Sequence, residues 1–118
     1  MRVRAILSAI TAGTPQNIAA AFGYDTDKPL LANRMFIQPQ HGATVGLVYV
    51  LENPRRGAVL AVSTDLIAEI QAATSASPGG NYDDFYPKND SGGIDLTLMA
   101  IDVATTNTPV LVTADINV

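Results

Sequence analysis

The single histidine of this 118-residue chain, His41, sits in QPQHGAT between two apolar runs. An imidazole acting as a general base needs a nucleophile or substrate on one ring nitrogen and an orienting group on the other. With one histidine, every such arrangement must pass through His41. The chain has no cysteine and no Gly-x-Ser-x-Gly, so neither a thiol nor an elbow serine offers itself as a partner. Pro39 and Gly42 are turn formers, and His41 reads as a turn residue rather than a catalyst.

The acids give a second place to look. Asp83, Asp84, Asp90 and Asp95 fall within YDDFYPKNDSGGID. A calcium loop spaces its carboxylates as D-x-D-x-D-G and closes with a glutamate. The spacing here differs and no glutamate follows, so these residues read as turn formers and no metal site is expected. Glycoside hydrolysis would need Glu52 and Asp83 or Asp84 held at a set separation. Nothing in the sequence holds them there, and there is no tryptophan to stack a sugar. SPGGN lacks the spacing of a phosphate-binding loop. Without cysteine, disulfides, iron–sulfur clusters and thiolate zinc sites are excluded. No catalytic residue and no cofactor is assigned, and the chain reads as non-enzymatic.

Two sets of residues remain that suit recognition instead of catalysis. Tyr82, Phe85 and Tyr86 cluster within Thr74–Gly93, the longest irregular stretch. Such rings either pin a loop to the core or form rigid anchors for a partner, and both readings stand. Arg2, Arg4, Arg55 and Arg56 form two pairs. Arginine suits bidentate contact with carboxylates across an interface; as exposed charges the same residues would contribute little. With a net charge of −4 and no basic stripe, nucleic acid is not an expected partner. Charged residues make up 15% of the chain, against about 25% in typical domains. That shortage fits a surface partly covered by a partner.

These residues must be held by strands. PVLVTADI places Val110, Val112, Ala114 and Ile116 on one face, a half-buried antiparallel strand. GIDLTLMAIDV is apolar on both faces and reads as a central strand, joined to the last by a TNTP turn as a hairpin. VGLVYVL is likewise central, and NRMFIQ is its expected hairpin partner. RVRAILSAI, NIAAAF and AVLAVS read as further strands, with ENPRRG as a turn. Asp65–Ala72 has an N-cap candidate at Ser63 or Thr64 and reads as one or two helical turns, while its pattern fits a strand equally. The expected fold is one domain over 1–118. It is mainly β, an antiparallel sandwich or jelly roll of about seven to nine short strands with at most one short helix. Residues 1–12 are an expected interaction arm and 74–93 a long loop. The apolar run after Arg4 is broken at Ser8 and shorter than a signal-peptide core. No stretch reaches the length of a membrane span, so neither a cleaved signal nor a membrane partner is expected.

The hairpin patterns resemble a known family. Arg34, Ile37, Gln38, Gly46, Val48, Tyr49 and Val50 match an R-x-hydrophobic-x-Q strand followed by a G-x-V-Y-V strand. Asp95, Leu96, Asp102, Val110 and Val112 match a late D-L strand and a closing V-x-V strand. Over about Gln16 to Ile116 the chain resembles small tailed-phage capsid cement or decoration proteins. It departs at LAVSTDLIAEIQ, where that pattern has a Leu-x-Pro-Gly turn. The resemblance implies a β-sandwich without catalytic residues. It also implies a homodimer or homotrimer that binds the major capsid protein on the virion exterior, assembled in the host cytoplasm. The alternative is a carbohydrate- or ligand-binding sandwich of a phage tail or surface adhesin.

Overall fold

Val110, Val112, Ala114 and Ile116 are sealed from solvent, while Thr113 and Asp115 between them are half-buried. That alternation belongs to a strand with one face on a core. It lies at the centre of a sheet in the computed structural model, which describes residues 1–39, 47–71, 81–88 and 92–117. Among the described residues the strands are β1 (Arg2–Leu7), β2 (Gln16–Asn17), β3 (Leu31–Pro39), β4 (Leu47–Glu52), β5 (Leu66–Gln71), β6 (Asp83–Phe85), β7 (Ile94–Asp95), β8 (Met99–Val103) and β9 (Val110–Ile116). They form two antiparallel sheets. Sheet I runs β1-β9-β3-β6, with β7 also paired to β3; sheet II runs β2-β8-β4-β5. The molecule is a mainly-β sandwich, as the sequence led us to expect.

The strand pairing differs from the expected hairpins. β3 and β4 lie in different sheets, as do β8 and β9. The TNTP turn forms, with Asn107 at φ 68° and its N–H donating to the Ile10 carbonyl at 2.9 Å, but it carries the chain from one sheet to the other. β8, all five of whose residues are buried, is an interior strand of sheet II: β4 and β2 pair with its two edges and leave none for β9. β9 is the corresponding strand of sheet I, between β1 and β3.

Local assignments also change. NIAAAF is a one-turn helix, α1 (Ile18–Ala21), because Asn17 caps it by accepting from the Ala20 N–H at 3.1 Å. A second helical turn, α2 (Val62–Asp65), precedes β5, so the stretch expected as helix from Asp65 is a strand from Leu66 to Gln71. Asp65 caps the start of that turn. Its carboxylate accepts from the Ala61 N–H at 2.8 Å and from Asn53 Nδ2 at 2.9 Å. AVLAVS contributes this turn rather than a strand. The strand expected across GIDLTLMAIDV is broken by a 3-10 turn at Leu96–Leu98, where Asp95 caps the Thr97 N–H. There are thus two short α-helices where at most one was expected. The stretch 74–93 contains β6, which pairs Asp83–Phe85 with Met35–Ile37. Residues 1–12 contain β1, paired with β9 along its whole length.

Between the sheets, Met35, Ile37, Val110, Val112 and Ala114 meet Val48, Val50, Ile70, Met99, Ile101 and Val103. Ile18, Leu30, Ile94 and Leu96 belong to the same core. This leaves the opposite face of sheet I turned to solvent.

Candidate functional site

The outward face of sheet I follows from its register. Arg2 lies beside Asp115, which lies beside Arg34; Arg4 beside Thr113, Phe36 and then Asp84; Ile6 beside Leu111 and Gln38. Side chains directly opposite on neighbouring strands share a face, so these three rows make one surface. Tyr82 and Tyr86 flank β6 at two residues either side of Asp84 and join it. Both tyrosines are exposed, at 58% and 60%.

The surface is organised before any partner arrives. The Phe36 and Tyr82 rings lie 5.2 Å apart, tilted by 30°. Arg34 donates through Nε to Asp84 Oδ1 at 3.0 Å, with Nη2 at 2.9 Å from the same oxygen, and stacks over Tyr86 at 5.9 Å. Hydrogen bonding to Asp84 holds the Arg34 guanidinium above its ordinary value, reinforced by the charge of that carboxylate. Arg2 donates to Asp115 at 3.0 Å. A shallow depression of about 190 Å³ lies between Arg2, Arg34, Phe36, Thr113 and Asp115. Partly exposed ion pairs of this kind contribute little to stability. Their use here is orientation. Side chains already fixed lose less freedom on docking, and tyrosine and arginine are the residue types that dominate binding energy at interfaces.

The residues expected from the sequence divide into three groups. Arg2, Arg4, Tyr82 and Tyr86 lie together on this face. Phe85 does not: it sits opposite Met35 and packs against the core, because alternation along β6 turns it inward. Of the two readings of the aromatic cluster, each therefore holds for different rings. Arg55 and Arg56 lie elsewhere. Arg56 is engaged within the fold, with Nη2 at 3.0 Å from Asp95 Oδ2 and Nε donating to Thr97 Oγ1 at 3.1 Å. Arg55 is exposed beside a separate depression lined by Asn17, Thr26 and Gly57. His41 and Asp90 lie outside the described residues.

Asp95 forms the tightest polar cluster. Its Oδ1 accepts from the Leu30 N–H at 3.2 Å, the Thr97 N–H at 3.0 Å and the Thr97 hydroxyl at 2.6 Å. Burial pushes this carboxyl up, but hydrogen bonds from Thr97, Leu30 and Arg56 outweigh burial and hold it below its ordinary value. The cluster ties together β7, the start of β3 and the 53–57 turn. Its Oδ1 is engaged by three donors within the fold, and its Oδ2 accepts from Arg56.

Arg34 and Phe36 were not singled out as site residues from the sequence. The signal for them is the alternation within NRMFIQ: Met35 and Ile37 are core, so Arg34, Phe36 and Gln38 face out. Their meeting with Tyr82 and Tyr86, some 46 to 52 positions away, depends on β3 pairing with β6, which no local pattern encodes. No family model, curated protein or solved structure matches the chain.

Proposed function

We propose that the protein is a non-enzymatic structural module that docks through the outward face of sheet I onto a protein surface. The surface we assign it is the exterior of a phage capsid, where it acts as a cement or decoration protein. The observation that carries this reading is the array of exposed Tyr82 and Tyr86 braced on half-buried Phe36 and Arg34 of a rigid sheet. A docking protein needs such a face, and the array brings no nucleophile and base together. The capsid as partner follows from the resemblance of the strand motifs. The scarcity of charge in the chain and the depletion of charged residues at interface cores point the same way.

The test is sedimentation of the purified chain with empty shells assembled from the major capsid protein of the same phage. Wild type is expected to co-sediment and saturate. A buried interfacial tyrosine contributes about 2 kcal/mol, so Tyr82→Ala and Tyr86→Ala are each expected to weaken binding about thirtyfold. Retained affinity in the double variant, with melting unchanged, would refute docking through this face. Binding to a glycan array instead of the shell would favour the adhesin reading.

A further inference from the structure

The free edge of β1 points to a second recognition device, which uses backbone groups at the border of the docking face. The N–H groups of Met1 and Ile116 donate to each other's carbonyls, at 2.8 and 2.7 Å. This fixes the phase of the antiparallel ladder, in which hydrogen-bonded and non-hydrogen-bonded pairs alternate. From the register, Val3, Ala5 and Leu7 are bonded to Ala114, Val112 and Val110. Arg2, Arg4 and Ile6 therefore turn their backbone N–H and C=O groups away from β9. Sheet I ends at β1 among the described residues, so those groups form an unpaired row.

Edges of this kind are templates for another strand unless they are short, bulged, charged or interrupted by proline. The other edges are managed. β2 has two residues and β6 three, the latter followed closely by Pro87. β5 carries a register shift against β4 between Val50 and Leu51. β1 has six residues, no proline and no shift in its register with β9; its charges, Arg2 and Arg4, lie in its first half and leave Ala5, Ile6 and Leu7 uncharged. Its inward residues Val3, Ala5 and Leu7 are only partly covered, and Ile6 is 57% exposed.

We infer that β1 pairs antiparallel with β1 of a second copy of this chain, about a two-fold axis at Ala5. Side chains opposite each other must share a face, which leaves four symmetric registers, centred on Val3, Arg4, Ala5 or Ile6; the last pairs only residues 5–7 of β1, whereas centring on Ala5 pairs residues 3–7. Centring on Val3 sets Arg2 against Arg4 of the second copy, and centring on Arg4 sets Arg4 against itself. Both juxtapose like charges. Centring on Ala5 sets Arg4 against Ile6 and Val3 against Leu7. In that register Arg4 of one copy and Ile6 of the other exchange backbone hydrogen bonds, twice over by symmetry. The inner faces bring apolar residues together, and sheet I becomes continuous across two subunits.

Analytical ultracentrifugation of the purified chain, from micromolar to millimolar, tests this. Wild type is expected to reach the mass of two chains. Ile6→Pro removes an outward donor while sparing the β9 ladder, and is expected to leave a folded monomer. Ile6→Lys places a lysine against Arg4 of the second copy and is expected to raise the dissociation constant at least tenfold. Adding Arg4→Glu to Ile6→Lys makes two Glu–Lys pairs in this register alone, and is expected to restore association. Circular dichroism confirms folding; if Ile6→Pro does not fold, the lysine variant and its rescue decide. A wild type that stays monomeric overturns the inference, as does a dimer that tolerates Ile6→Lys or is not restored by Arg4→Glu. None of these results depends on binding to a capsid.

Discussion

Replacing Asp95 should destabilise the fold substantially. In Asp95→Ala, the N–H groups of Leu30 and Thr97 lose their acceptor and Arg56 loses its carboxylate. Each polar group left unsatisfied away from water costs about 1–3 kcal/mol. The side chain of Asp95 is 15% exposed, so water replaces these bonds poorly; that of Arg56 is 34% exposed, and its share is discounted. The sum is about 3–5 kcal/mol. At about 2.1 cal/mol/K per residue, a chain of this length loses about 4 °C of melting temperature per kcal/mol. Asp95→Ala is thus expected to melt roughly 12–20 °C lower. Asp95→Asn keeps an oxygen for Leu30 and Thr97 but turns an amide toward Arg56, and is expected to cost about 1.5–2 kcal/mol. Urea titration and thermal melts of both variants, with Arg56→Met to complete a double-mutant cycle, measure these terms. Asp95→Ala melting within about 3 °C of wild type would refute the structural role given to this carboxylate.

Asp65 and Asp95 both titrate below their ordinary values when folded, so their stabilisation is complete above the unfolded carboxylate value near pH 4 and is lost as pH falls through the lower folded values. Melting curves from pH 6 to 2 should fall at the acid end, less steeply in Asp95→Asn. Phe85→Ala should cost about 2–3 kcal/mol because that ring packs on the core, while Tyr82→Ala should cost under about 1 kcal/mol; equal losses in denaturant titration would mean that the two rings are not on opposite faces. Gly93 has φ 150°, and an added Cβ would lie 2.9 Å from the Leu31 Cβ. Gly93→Ala is therefore expected to lose about 1–3 kcal/mol by the same titration.

Class was legible in the sequence because period-two patterning is a local property. Val110, Val112 and Ala114 announce their face without reference to any partner. Pairing was not legible. The patterns of β3, β4, β8 and β9 are those of strands in a hairpin and equally those of strands facing each other across a core. Which edges pair separates the two, β8 with β2 and β4 and β9 with β1 and β3, and that is a property of the whole molecule. Within NIAAAF, the cap from Asn17 outweighed an apolar run that reads as strand. After Asp65 the chain turns extended at Leu66 and pairs with β4, an outcome that the local spacing had left open between helix and strand. Half of the docking face could be named from residue type, through Arg2, Arg4, Tyr82 and Tyr86. Arg34 and Phe36 required the β3–β6 register, and Phe85 was turned inward by the alternation that turns its tyrosine neighbours out.

A reconstruction of the native particle at side-chain resolution bears most directly on docking through sheet I. Docking through this face predicts the sandwich on the shell exterior, with Tyr82, Tyr86, Phe36 and Arg34 against the major capsid protein and sheet II turned to solvent. A sandwich seated by sheet II, or located on the tail with this face open to solvent, would contradict it.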